Sequence, residues 1–172
     1  MTMYIEGVNY LNQTDSFRCG VIAIINTLKY CKVDLTRDAT KWLDFLTDCD
    51  CTEEKRGVWP KDLFFVLKMF SILTNKFSIR KVKYNKDIFD KPGKCFLVDH
   101  FTGFDEDERM HSHYILIVPD GDNYKIVNPT DAKRTAINLS NRYKKRFIHK
   151  FFKRGQYGLK HNLPLVWEIK RK

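Results

Sequence analysis

A cysteine becomes a useful nucleophile when its thiolate is stabilised, and the start of a helix supplies both a positive dipole end and unpaired backbone N–H groups. Cys19 stands at such a point, because Val21, Ile24, Ile25 and Leu28 recur at helical spacing and predict a helix from Cys19 to Tyr30. Gly20 follows it and leaves room for a substrate to approach, while the polar turn Gln13-Thr14-Asp15-Ser16 precedes it. A buried cysteine with a capping glycine has the same signature, so the chemistry has to be argued from partners. Thiol catalysis needs a base, and the base needs an orienting group. Asp120-Gly121 reads as a two-residue hairpin turn between alternating apolar runs, which pairs Pro119 with Asp122 and sets His113 directly opposite Asn128. In that register the two share a face with Ile115, Ile117, Tyr124 and Ile126, at the roughly 5 Å separation of cross-strand neighbours. An amide oxygen beside an imidazole fixes its tautomer and aims the other nitrogen at a thiol. The tetrahedral intermediate also needs fixed donors. Gln13, six residues before Cys19, can reach back to provide one, and the Cys19 backbone N–H a second.

Other residues compete for these roles. His111 shares a face with His113, yet only His113 meets Asn128 in this register. His100, next to Asp99, reads as structural, and His149 and His161 as surface residues. Cys49-Asp50-Cys51 with His100 or His111 is a poor zinc motif, because the cysteine spacing is short and no second pair accompanies it. No metal and no cofactor is therefore expected. Cys31 and Cys95 lie in apolar runs and read as core.

The elements that must position these residues divide the chain. A second helix is expected to start at Asp34 or Thr36 and to carry Trp42, Leu43, Phe45 and Leu46 inward; a third begins at Pro60 and runs through Leu63, Val66, Leu67 and Phe70. After Asn75 the pattern changes to β-rich runs at Phe77 to Tyr84, Cys95 to Phe101, Tyr114 to Val118, Tyr124 to Val127 and Leu165 to Ile169. Thr102 to Met110 reads as a polar loop, and Asn138 to Phe152 as a basic helix. The expectation is one α+β domain over residues 1–172, with a helical part at 1–75 packed on an antiparallel sheet within 76–172.

Gln13, Cys19-Gly20 opening a helix, His113-Tyr114 opening an apolar strand, and Asn128-Pro129 some fifteen residues on resemble the papain-like cysteine peptidase superfamily. Within it, the bacteriocin-processing, double-glycine peptidase-like branch is the nearest in pattern, and Arg56-Gly57-Val58 through Leu67 looks like that family's substrate-side helix. The resemblance runs from Gln13 to Pro129. It implies a papain-like fold with Cys19 as nucleophile, His113 as general base, Asn128 as orienting residue, Gln13 as oxyanion donor, and a protein or peptide substrate. Two departures stand out: the acid that often precedes the nucleophile in that branch is absent from Asp15-Ser16-Phe17-Arg18, and Asn128 replaces the commoner Asp.

The 172-residue chain carries a formal net charge of +10. Residues 133–172 hold 13 of its 31 basic residues and only one acid, Glu168, so the excess is confined to the last quarter. Such a segment, interleaved with Tyr143, Phe147, Phe151, Phe152 and Tyr157, suits an acidic protein or nucleic acid as partner, or simply a solvated basic face. No run approaches eighteen apolar residues, and the first residues lack the pattern of a secretory leader, so a cytoplasmic protein without membrane insertion is expected. The expected function is a cysteine peptidase or isopeptidase. The same machinery would serve an acyltransferase or transglutaminase, and the same scaffold a non-catalytic binding module.

Overall fold

The computed structural model describes residues 2–5, 7–11, 19–35, 58–84, 88, 94–104, 110–121, 123–127, 137–139 and 164–172. Strands β1 (Thr2–Ile5) and β2 (Val8–Leu11) form a hairpin in which Ile5 pairs with Val8. Gly7 takes φ 80 in its turn, a conformation that costs glycine little. No element was expected there.

Helix α1 (Cys19–Tyr30) follows. Its apolar spacing predicts one buried stripe, but every residue except Lys29 is buried. The reason lies in its neighbours: β5 packs against it, the hairpin lies on another side, and α2 (Pro60–Thr74) on a third. Asn26 ties the hairpin down, accepting from Leu11 N–H at 2.8 Å and donating to Leu11 C=O at 2.9 Å. The Lys29 ammonium adds a bond to Asn9 C=O at 2.7 Å. Helix α1 ends in a Schellman-type turn, with Lys32 left-handed and Val33 N–H bonded to Leu28 C=O.

Helix α2 starts where Pro60 predicts, with Trp59 at its N-cap position. Asn75, left-handed at φ 53, ends it, and the Ser71 hydroxyl donates to Phe77 C=O, which fixes the turn into β3 (Phe77–Val82). Its inner residues Leu63, Leu67 and Ser71 are buried, and Phe64 stacks on Trp167 at 6.5 Å.

Strands β4 (Cys95–Phe104), β5 (Met110–Asp120), β6 (Asn123–Val127), β7 (Ile137–Leu139) and β8 (Leu165–Arg171) join β3 in an antiparallel sheet of order β3-β8-β4-β5-β6-β7. Thus helices ahead of an antiparallel sheet make an α+β fold, as the element order implies. One face carries Cys95, Leu97, Tyr114, Leu116, Val118, Trp167 and Ile169 against the helices. The other carries Phe96, Val98, Ile115, Ile117, Tyr124, Ile126 and Val166, also buried. Burial on both faces explains the unbroken runs Cys95 to Val98 and Tyr114 to Val118, where a half-exposed strand would alternate. Each fully buried Leu or Ile there is favoured by about 1.5–3 kcal/mol over an exposed one.

Several expectations change. The hairpin between β5 and β6 pairs Asp120 with Asn123 and Leu116 with Val127, so its turn is centred one residue later than Asp120-Gly121. Gly121, at φ 56, takes the first turn position, where a left-handed conformation matches the strand twist better than Asp120 could. The stretch Thr102 to Met110 is only partly loop, because β4 runs on to Phe104 and β5 begins at Met110. Asn138 and Leu139 belong to β7, paired with Lys125 and Tyr124, and not to a helix. Leu35 is not helical, so no helix follows directly on an Asp34 cap, and the helix expected from a Thr36 cap, like the remainder of Asn138 to Phe152, lies outside the described residues.

Candidate active site

Cys19 is the first residue of α1, and the opening N–H groups of a helix lack intrahelical acceptors. It is buried, at 7% exposure, in the cluster that includes Tyr10, Leu97 and Tyr114. Gly20 differs from its expected role. A Cβ built on it would lie 2.6 Å from Val58 Cβ, 2.8 Å from Val58 Cγ2 and 3.5 Å from Tyr114 Cε2, so the space is occupied by the chain leading into α2 and not kept for a substrate. The Tyr114 hydroxyl donates to Val58 C=O at 2.8 Å. Three elements therefore meet at one point: the first turn of α1, the approach to α2 and the first half of β5. Val58 and Tyr114 are the residues that sequence reasoning did not single out as joints. The only available signals were an aromatic after His113 and a β-branched residue two before Pro60.

His113 is buried, at 8% exposure, and paired with His100 across β4. Tyr114 faces α1, so alternation along β5 gives His113 the face of Ile115 and Ile117, away from Cys19. The ladder is irregular nearby. Phe101 pairs with Ser112 but Gly103 with His111, a bulge that adds one residue to β4 beside the histidines. Bulges bend and twist a ribbon locally and re-aim its side chains. Gly103 inside a strand is its sequence trace.

The direct opposition of His113 and Asn128 does not follow from the described register. Leu116 pairs with Val127 and Ile117 with Ile126, a shift of two residues from the expected pairing. A two-residue shift preserves face, since side chains repeat every second residue. Asn128 and Gln13 themselves lie outside the described residues, as do Cys49 and Cys51.

Two other thiols are chemically quiet. Burial pushes Cys31 up to about 12, against a smaller opposing effect of Arg171. Burial and the neighbouring Cys31 hold Cys95 well above an ordinary thiol. Both remain protonated and unreactive at neutral pH, as core cysteines. Tyr30 is raised to about 12, chiefly by burial, although the Arg171 guanidinium sits 4.3 Å over its ring.

Among the described residues no helix is long and apolar enough to cross a membrane. No protein-family model and no curated protein matches the sequence. Fold and site together define an α+β domain with a cysteine at the head of its central helix.

Proposed function

We propose that the chain is a small papain-like cysteine peptidase or isopeptidase acting on a protein or peptide. The observation that carries this reading is the first turn of α1, opened by Cys19, lying against β5 one residue from His113. The positive end of the helix dipole stabilises a thiolate at Cys19. That thiolate attacks the carbonyl, and the oxyanion is met by the Cys19 N–H and the Gln13 amide. His113, oriented by Asn128, takes the thiol proton and delivers it to the leaving amine; water then resolves the thioester. An acyltransferase or transglutaminase would differ only in the resolving nucleophile. The reading requires the His113 imidazole to come round β5 at its bulged end.

Iodoacetamide at near-neutral pH tests it. Cys19 should be alkylated far faster than Cys31 and Cys95, and His113→Ala should remove that preference while His111→Ala keeps it. Equal labelling of all five thiols would sink the proposal.

The burial of Cys19 and the alternation of His113 favour a second reading, a papain-like scaffold used for binding. Its basic segment, residues 133–172, would hold an acidic protein or nucleic acid. In that case polyanion binding falls steeply with salt, survives Cys19→Ala, and weakens when Lys144, Lys145 and Arg146 are neutralised.

A further inference from the structure

The large apolar side chains exposed among the described residues all belong to one stretch: Trp59, Phe65, Met69, Ile72 and Leu73. The last four follow the spacing i, i+4, i+7, i+8 and form one stripe on the outer face of α2, between 41% and 74% exposed. The opposite face of the same helix, Leu63, Leu67 and Ser71, is buried against the body of the domain. Helix α2 is thus apolar on two sides, one of them without cover among the described residues. A contiguous exposed apolar patch of this kind marks an interaction surface more often than chance exposure does.

Its charges are placed asymmetrically. At about 100° per residue, Lys61 and Lys68 fall about 40° and 60° to one side of Phe65, beyond the edge of the stripe, whereas the single acid of the helix, Asp62, falls about 60° to the other, in line with Met69 and Leu73 one turn before Phe65. From Phe65 to Leu73 the stripe spans about 12 Å along the axis and is one helix wide. That shape and charge match a second helix laid along the first, apolar where they touch and acidic beside Lys61 and Lys68.

We propose that the outer face of α2 docks an acidic amphipathic helix of another protein. The surface stands apart from the Cys19 site and does not depend on its activity. A second copy of this chain is a poor occupant. Antiparallel two-fold packing sets the lysine flank of one helix beside the lysine flank of the other, and parallel packing offers one Asp62 against two lysines, in a chain of net charge +10. An anionic bilayer would have to accept the Asp62 carboxylate along the same line as the apolar stripe, which opposes insertion.

The test uses the full chain and two fluorescent synthetic peptides of about five helical turns. Both carry the same leucine stripe; one has glutamate flanks, the other lysine flanks. Anisotropy titration should show the glutamate peptide binding about tenfold or more tightly than the lysine peptide. Lys61→Glu with Lys68→Glu, and separately Phe65→Ser with Ile72→Ser, should each weaken it about tenfold or more with unchanged circular dichroism. Equal binding of the two peptides, or binding that ignores both variant pairs, overturns the proposal. So does cosedimentation with phosphatidylserine vesicles in preference to either peptide. Self-association by sedimentation velocity that Phe65→Ser with Ile72→Ser abolishes would assign the face to a second copy instead.

Discussion

At Gly20 the first turn of α1 and the segment before α2 compete for one methyl group's space. Gly20→Ala should destabilise the fold by about 1–3 kcal/mol, since the nearest atoms are the Cβ and Cγ2 of a β-branched side chain with little freedom to move. Adding Val58→Ala to that variant should recover part of the loss; a double-mutant cycle in urea that finds simple additivity would reject the contact as its cause. Tyr114→Phe removes the hydroxyl bonded to Val58 and should cost about 1 kcal/mol, read in the same titration. Cys19 was legible as a helix-opening residue because periodicity reports where a helix begins. Its packing was not, because the close approach of Val58 crosses 38 positions of sequence and leaves no local pattern.

The elements separate what periodicity can and cannot report. Helix α2 began at Pro60 as expected, and β4, β5, β6 and β8 lie where apolar runs predicted them, because those runs are long and buried on both faces. The N-terminal hairpin has no comparable signature in the sequence. Its strands are four residues each, and they are held by a contact outside themselves, the Asn26 amide. Asn26→Leu removes that amide, leaves Leu11 N–H and C=O without their partner, and should cost about 2–3 kcal/mol. Hydrogen exchange should show β2 losing protection while β4 and β5 keep most of theirs; uniform loss would mean that the hairpin is not a separable unit. The turn at Gly121 illustrates the sensitivity of register. Asp120-Gly121 and Gly121-Asp122 are both good hairpin pairs in composition, so only the pairing of Asp120 with Asn123 distinguishes them. That choice decides which residues of β5 and β6 oppose each other, and with it how the candidate base would be oriented.

Across the whole molecule, one carboxylate joins three segments. Glu168 on β8 accepts from Lys94 at 2.6 Å, just before β4, and from Arg80 on β3 at 3.0 Å. Burial alone would raise its pKa, but these two cations more than offset that and hold it below the ordinary carboxylate value. A lowered folded-state pKa contributes stability that is present above the unfolded carboxylate's pKa and is lost as pH falls through the folded one. Acid titration of the wild type should therefore show stability declining below about pH 4.5. Glu168→Gln should be less stable by about 1–2 kcal/mol at neutral pH, discounted for the exposure of Arg80, and should show a shallower acid decline. Parallel acid profiles for the two proteins would exclude this cluster as the origin. It was hidden in the sequence, where Glu168 reads as the lone acid of a basic segment and Arg80 lies 88 residues away. Strand β8 itself lies between β3 and β4 although it follows both, and every other described element, in sequence. A ribosome making this protein exposes both neighbours before it can supply the strand that separates them. Until β8 has emerged, the edges of β3 and β4 that it will cover stand open, and the nascent sheet is most vulnerable to wrong pairing in that interval.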